Sequence, residues 1–319
     1  MNEKVYQIVT DRIIQTIENS GKLPWVKPWK HSGVSPSNGI TKKPYEGINF
    51  FLLSNAPYSN PYYLSYKQAE SLGGNVRKGE KGWPVVFWKV GKYEKEGKDG
   101  SIEEKNSFLL RYYTVFNVEQ CENITMDPAT IAGHVEHDPI EAAEAIIKGY
   151  KNGPSITIKP SEQAYYQPSI DSVTMPEMKQ FITPEGFYAT FFHELGHSTG
   201  HKSRLNRKEL TGHNPFGSHD YGVEELTAEL SSAFMCAECG ISNDNLERNS
   251  AAYLKNWINA IKADPKLLVT AAGRAGKAAK LILGKDKEEP QDQEEDQPVK
   301  VQATRPAVIK QSQFNWLAQ

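Results

Sequence analysis

Val5, Ile8, Val9, Ile13 and Ile17 recur at the spacing of one helical face, and Gly21 follows as a stop, so the chain opens with an amphipathic helix. The texture then turns aromatic and glycine-rich, with short apolar runs at 49–53, 83–90 and 107–117 that read as strands. The charged, glycine-containing link between the last two, from Gly91 to Asn106, reads as an exposed hairpin loop. A small α+β domain over 1–125 accommodates these elements. Residues 126–139, with Asp127, Pro128, His134, Glu136, His137 and Asp138, have the composition of a linker.

A second unit over 140–284 starts with a helix at 140–150 and a strand at 155–158. The segments 164–168 and 171–176 form a hairpin pattern, and the apolar run Tyr188 to Phe192 opens a buried helix. A polar loop extends to about Tyr221, and helices are expected over 223–238, 245–263 and 265–283. Beyond Gly284 the chain is rich in Pro, Gln and Glu, so 285–319 is expected to be a disordered acidic tail. The fold class is α+β.

Composition narrows this picture. A chain of 319 residues with 38% hydrophobic and 24% charged residues suits a soluble protein of two domains. It has no apolar run of about 18 residues, so no membrane span is expected. The first residues lack the layout of a secretory signal, and three cysteines make no disulfide framework, so a cytoplasmic location is expected. The net charge of −2 hides a polarity: residues 1–92 carry 13 Lys/Arg against 6 Asp/Glu, whereas 285–300 are dominated by acids from Asp286 to Asp296. A basic front implies an anionic partner.

The chemistry is concentrated in His193-Glu194-Leu195-Gly196-His197. Histidines at i and i+4 project from one helix face and can share a zinc ion, and the intervening glutamate is placed to act as general base on water. His201 cannot complete the site within the same helix, because i and i+8 lie ~12 Å apart along the axis. Ser203 stands where a third histidine of the long metzincin pattern belongs. The expected third ligand is Glu225, with Glu229 and Glu224 as alternatives, and Glu229 is assigned the outer role of holding a ligand histidine. His213 and His219 are weaker candidates. Tyr165, Tyr166 and Tyr188 are possible oxyanion donors, and 171–176 a possible edge for an extended peptide.

In the front half, cations alternate with rings: Trp25, Lys27, Trp29 and Lys30; Lys42, Lys43 and Tyr45; Arg77, Lys78, Lys81, Trp83, Trp88 and Lys89. Cationic grooves lined with aromatic rings hold single-stranded nucleic acid by stacking. A small aromatic core with solubilising lysines explains the same composition, and both readings stand at this point. Cys236 and Cys239 form a CxxC inside an expected helix and read as packed thiols.

Together these motifs resemble the ArdC-type antirestriction proteins of mobile elements. In the front half the resemblance rests on Pro24-Trp25-Val26-Lys27-Pro28-Trp29, Pro44-Tyr45-Glu46-Gly47-Ile48-Asn49 and Arg77-Lys78-Gly79-Glu80-Lys81-Gly82. In the back half it rests on Tyr188-Ala189-Thr190 with the HELGH segment, Ser203-Arg204-Leu205 and Glu224-Glu225-Leu226-Thr227-Ala228-Glu229. It implies an N-terminal domain that binds single-stranded DNA and a C-terminal zincin-like metallopeptidase domain. It also implies protection of incoming DNA, with proteins on DNA or restriction components as partners. A DNA-binding antirestriction protein with an idle or structural zinc site is the competing expectation.

Overall fold

The computed structural model describes residues 2–25, 35–96, 102–127, 139–211, 218–241 and 251–286. Expectations placed on Lys27, Trp29, His213, most of the linker and almost all of the acidic tail lie outside these residues. The opening helix α1 (Asn2–Ser20) buries Val5, Val9, Ile13 and Ile17, the face its periodicity indicates. The run at 49–53 is not a strand but the core of a short helix, α2 (Ile48–Ser54). Phe50, Phe51, Leu52 and Leu53 are all buried, and an apolar run enclosed on every side carries no period to separate helix from strand.

Beside α2 stands a four-stranded sheet in the order β1 (Ser37–Asn38), β2 (Tyr62–Ser65), β5 (Ile102–Asn117), β4 (Trp83–Glu96). Strands β4 and β5 pair in antiparallel register from Trp83↔Val115 out to Glu96↔Ile102. The stretch expected to be a hairpin loop therefore continues the ladder as a long two-stranded ribbon. At its base the outer edge of β4 is covered: Asn49 donates to the Val86 carbonyl at 2.7 Å and accepts from the Val86 amide at 2.8 Å. A single side chain thus completes the ladder bonds that an edge strand leaves open. Helix α3 (Tyr66–Ser71), capped by a reciprocal Ser65–Gln68 box, and the pair β3 (Asn75–Val76) with β6 (Cys121–Glu122) finish this half.

The second half begins with α4 (Pro139–Gly149) and a three-stranded sheet in the order β7 (Ser155–Ile158), β9 (Ser172–Met175), β8 (Tyr165–Gln167). Strand β9 is parallel to β7 and antiparallel to β8, so it is central and cannot offer the peptide-binding edge expected of 171–176. Behind the sheet lie α5 (Pro184–Ser198), α6 (Lys208–Thr211), α7 (His219–Cys239), α8 (Ala251–Ala263) and α9 (Leu267–Ile282). Cys236 and Cys239 are buried.

The largest buried cluster is shared by the two halves, beside smaller clusters confined to each. Ile13 and Ile17 of α1, Phe50 and Phe51 of α2, and Leu110 of β5 belong to the same buried cluster as Leu226 and Leu230 of α7, Trp257 of α8 and Leu268 of α9. Phe50 and Phe51 stack at 5.4 and 4.8 Å against Phe234. Removing the Ile13 side chain beyond Cβ should therefore weaken the whole molecule. Ile13→Ala is expected to cost about 3 kcal/mol, and calorimetry should show one unfolding transition that moves down as a unit. Two transitions, with the later one unmoved, would contradict the shared core.

Candidate metal centre

Helix α5 is built to carry its motif into the interior. Thr183 caps it by accepting from the Gly186 amide at 3.1 Å, Pro184 occupies the first turn, and the body is buried nearly all round. Helix α7 starts at Ser218, which accepts from the Tyr221 amide at 3.2 Å, and ends at the left-handed Gly240. The two helices cross closely because the contact is made of small residues. A Cβ added at Gly196 would lie 3.1 Å from the Ser231 Cβ and 3.2 Å from the Ala228 Cα. Ser232 donates to the Ala189 carbonyl at 2.7 Å across the same contact.

This crossing brings Glu225 of α7 to the two histidines of α5. Nε2 of His193 and Nε2 of His197 are 3.1 Å apart, and the Glu225 carboxylate oxygens lie 3.6 Å from the first and 3.5 Å from the second. Four-coordinate zinc with bonds of about 2.0–2.1 Å places its ligand atoms roughly 3.3 Å apart. The two nitrogens match that spacing, Glu225 turns a different oxygen to each of them, and these three residues are the one metal-capable His/Cys/Asp/Glu group among the described residues, with one ligand atom from each lying within 4.8 Å of the others. Burial works against charge on Glu225, but the hydrogen bond from His193, the charges of both histidines and a hydrogen bond from Tyr221 outweigh it. Together they bring the carboxyl down to about 2. Glu194 is buried beside this group.

The carboxylate that bonds the second nitrogen of His197 is Glu224, not Glu229 as expected. Glu224 Oε1 lies 3.1 Å from His197 Nδ1, which leaves Nε2 facing the donor triangle. Arg207 in turn fixes Glu224 through two bonds of 2.7 and 2.6 Å and reaches Thr199 Oγ1 and the Gly196 carbonyl at the end of α5. Burial opposes charge on Glu224, yet the bonds from Arg207 and His197 hold its carboxyl below the ordinary range. On His197, burial disfavours the imidazolium, but the hydrogen bond to Glu224 and the charges of Glu224, Glu225 and Glu194 keep it above its ordinary value. Glu229 sits one turn beyond Glu225, where it accepts from Trp25 Nε1 at 2.8 Å and from the Tyr253 hydroxyl.

Other expected residues separate in the same way. His201 bonds Ser203 at 2.7 Å, and His219 bonds Asp264 at 3.0 Å. Tyr188 donates to Glu144 and Tyr166 to Asp171, a carboxylate also gripped by Arg204, which lies in the turn after α5 and donates back to the Ser198 carbonyl. Tyr165 is on the exposed side of β8. The phenol that does stand at the site is Tyr221, one turn before Glu225. Burial and that carboxylate push it up to about 12. Its i, i+4 spacing from Glu225 could have singled it out in the sequence.

In the front half, three expected stacking rings are core residues: Trp25 is 3% exposed, Tyr45 4% and Trp83 8%. Trp25 packs edge-on against Trp257, and Trp83 lies under the Arg12 guanidinium at 4.0 Å. None can present a face to a base. Lys43, Lys78 and Lys81 remain on the surface, Lys42 covers the Tyr62 ring at 3.6 Å, and Arg77 is tied to Glu80 and the Glu119 carbonyl.

Comparison with known proteins agrees with this architecture. Residues 3–116 match the N-terminal domain of anti-restriction factor ArdC, and residues 141–274 match a zincin-like metallopeptidase domain. The chain is 36% identical over 303 residues to the DNA primase TraC of Escherichia coli, but spans only 20% of that protein's length. It is 36% identical over 287 residues to the protein y4eC of Sinorhizobium fredii, covering 90% of it and 86% of this chain. The crystal structure of antirestriction ArdC protein from plasmid R388, metal-free, matches with a TM-score of 0.66 and 36% identity over 88% of this chain and 97% of that one. A Mn(II)-bound structure of that protein matches equally well, with a TM-score of 0.66.

Two outcomes follow for the metal-free and metal-loaded protein. Glu224→Gln should weaken metal affinity by about 10–100-fold, as loss of a carboxylate behind a ligand histidine does. The raised His197 value means that its proton stabilises the metal-free fold below about pH 6.5, the unfolded imidazole value, and that this contribution is lost as pH rises through the higher folded value. Metal capture runs in the opposite sense because it displaces that proton, so affinity should fall on acidification. Competition titrations of wild type and Glu224→Gln with a chelating dye at pH 6 and 7.5 measure the two affinity effects, and thermal unfolding of the metal-free protein across the same pH range measures the stability effect; a wild-type affinity independent of pH would contradict the displacement of that proton.

Proposed function

The chain belongs to the ArdC family of antirestriction proteins, and from that premise we propose that it is a zinc-dependent peptidase acting on proteins associated with single-stranded DNA, in protection of incoming mobile-element DNA. The observation that carries the peptidase reading is the donor triangle of His193, His197 and Glu225 with Glu194 buried alongside it. Two imidazoles and one carboxylate form the ligand set of catalytic zinc sites that keep a position open, and nitrogen-rich sets favour zinc over manganese. When bound, such an ion supplies Lewis acidity to a water and to a peptide carbonyl.

The chain's own residues do the rest. Glu194 takes a proton from the attacking water and delivers it to the leaving amine. Tyr221 keeps its proton at neutral pH and serves as the donor for the developing oxyanion. Glu224 and Arg207 hold His197 in one tautomer and one orientation. An extended substrate would add to one of the outer strands, β7 or β8, since β9 is paired on both sides. The excess of cations in the front half supports a nucleic-acid partner. Among the described residues no helix is long and apolar enough to cross a membrane, and a cytoplasmic site of action fits the proposal.

Glu194→Gln separates peptidase from passive DNA-binding protein. The variant should keep its metal and lose about 10²–10⁴-fold in cleavage of a protein crosslinked to single-stranded DNA. It should also lose protection of DNA entering a restricting recipient. Full protection by a variant that cannot cleave would sink the proteolytic mechanism and favour a metal site that is structural.

A further inference from the structure

Two arginines of the turn after α5 reach back to the end of that helix and lead from it in different directions. Arg207 leads to Glu224 and so to His197. Arg204 leads to the three-stranded sheet. Its side chain is only 5% exposed, and its Nε donates to the Ser198 carbonyl at 2.8 Å, one residue beyond His197. One terminal nitrogen donates to the Asn152 carbonyl and to Asp171 Oδ2, each at 2.9 Å. The other donates to Asp171 Oδ1 and lies 3.4 Å from the Tyr166 hydroxyl, which itself donates to that carboxylate at 2.8 Å. Burial works against charge on Asp171, but the bonds from Arg204 and Tyr166 outweigh it and hold the carboxyl below its ordinary range. Both outer strands hang on this residue. Tyr166 lies in β8, and the Asp171 carbonyl accepts from the Ser155 amide of β7 at 2.9 Å.

Resting on the peptidase reading above, we infer that Arg204 and Asp171 are positioning residues for the substrate. Their pair fixes the outer strands of the sheet, and an extended peptide added to one of them, relative to the end of the histidine-bearing helix. A peptide held by strand addition takes its place from the strand it joins, whereas the histidines take theirs from α5. The two frames must agree closely, because a misplacement of about 1 Å can cost 10²-fold in rate. Apolar packing between them is non-directional: Val173 and Met175 of β9 share a buried cluster with Phe187, Phe191 and Leu195 of α5. A forked guanidinium bonded to acceptors on three separate segments is directional, and it acts at the helix end beside His197. Stability is not a sufficient reason for the pair, since apolar residues of similar volume often serve as well as a buried ion pair.

The test uses the full chain loaded with zinc and a protein crosslinked to single-stranded DNA as substrate, with zinc affinity measured by chelator competition. Arg204→Lys, which keeps the charge and loses the fork, and Asp171→Asn should each lower kcat about 10–100-fold, with KM and zinc affinity within about threefold of wild type. The double variant should be no slower than the slower single one, because both changes remove one contact. In the metal-free protein, amide hydrogen exchange across 165–172 should speed up about tenfold in Arg204→Lys and stay unchanged across 189–197. Wild-type kcat in both variants overturns the role. A loss confined to KM, a parallel loss of zinc affinity or unaltered exchange across 165–172 overturns it too. If Arg204→Lys does not fold, Tyr166→Phe decides, since it keeps the ring against the apolar cluster and removes one bond to Asp171. A kcat about three- to tenfold below wild type at unchanged zinc affinity supports the role, and a wild-type kcat rejects it. A wild type that binds zinc and cleaves nothing defeats the peptidase reading and this role with it, whereas a cleaving wild type matched by its variants defeats the role alone.

Discussion

Everything at the candidate site depends on how closely α5 and α7 approach. The histidines come from one helix and the carboxylate from another, 28 residues further along the chain than His197. Their ligand atoms meet within 3.6 Å only because no side chain stands between the helices at Gly196. Glycine inside a helix weakens it by roughly 0.5–1 kcal/mol relative to alanine. Here that cost is offset by the packing it permits: Ala228 and Ser231 sit against the bare backbone, and Ser232 bonds the neighbouring helix. The middle glycine of HELGH is thus a spacing element, and the polar letters of the motif are useful only because of it.

That approach creates an electrostatic problem, since it buries Glu224 and Arg207 along with the histidine. Buried charges are tolerated when paired and fully hydrogen-bonded. Arg207 is also placed where a cation is favoured, against the last carbonyls of α5. The result is a chain of contacts from helix end to guanidinium to carboxylate to imidazole. It sets the tautomer of His197 without using the nitrogen that faces the donor triangle. Glu229, of the same residue type and one turn away, serves a different purpose. It ties α7 to Trp25 ahead of the sheet and to Tyr253 of α8. The front half is therefore joined to the helix that carries Glu225 by a polar contact as well as by the shared apolar core.

Much of this was legible in the sequence because it is local. The i, i+4 spacing of His193 and His197, the face of α1, the strands at 83–90 and 107–117 and the four-residue strand at 155–158 follow from periods of 3.6 and 2. The run at 49–53 was misread because it is buried on all sides, and the ribbon was underestimated because charged residues at its far end hid a continuing ladder. His201 bonds Ser203 beyond the end of α5, and helix rise alone is enough to keep an i, i+8 pair from converging on one point.

What the sequence by itself determined, then, is the pair of histidines, the glutamate between them and a short list of three further glutamates. Tertiary structure decided which glutamate lies against the Nε2 atoms of both histidines, which bonds His197 Nδ1 and which binds Trp25. Adjacent positions on α7 differ by about 100° of rotation, and only packing against α5 sets the helix's rotation. The same reason governs the aromatics. Trp25 and Trp83 are the same residue type as Trp88, and Tyr45 as Tyr112; burial, a property of the assembled core, separates the enclosed rings from the exposed ones.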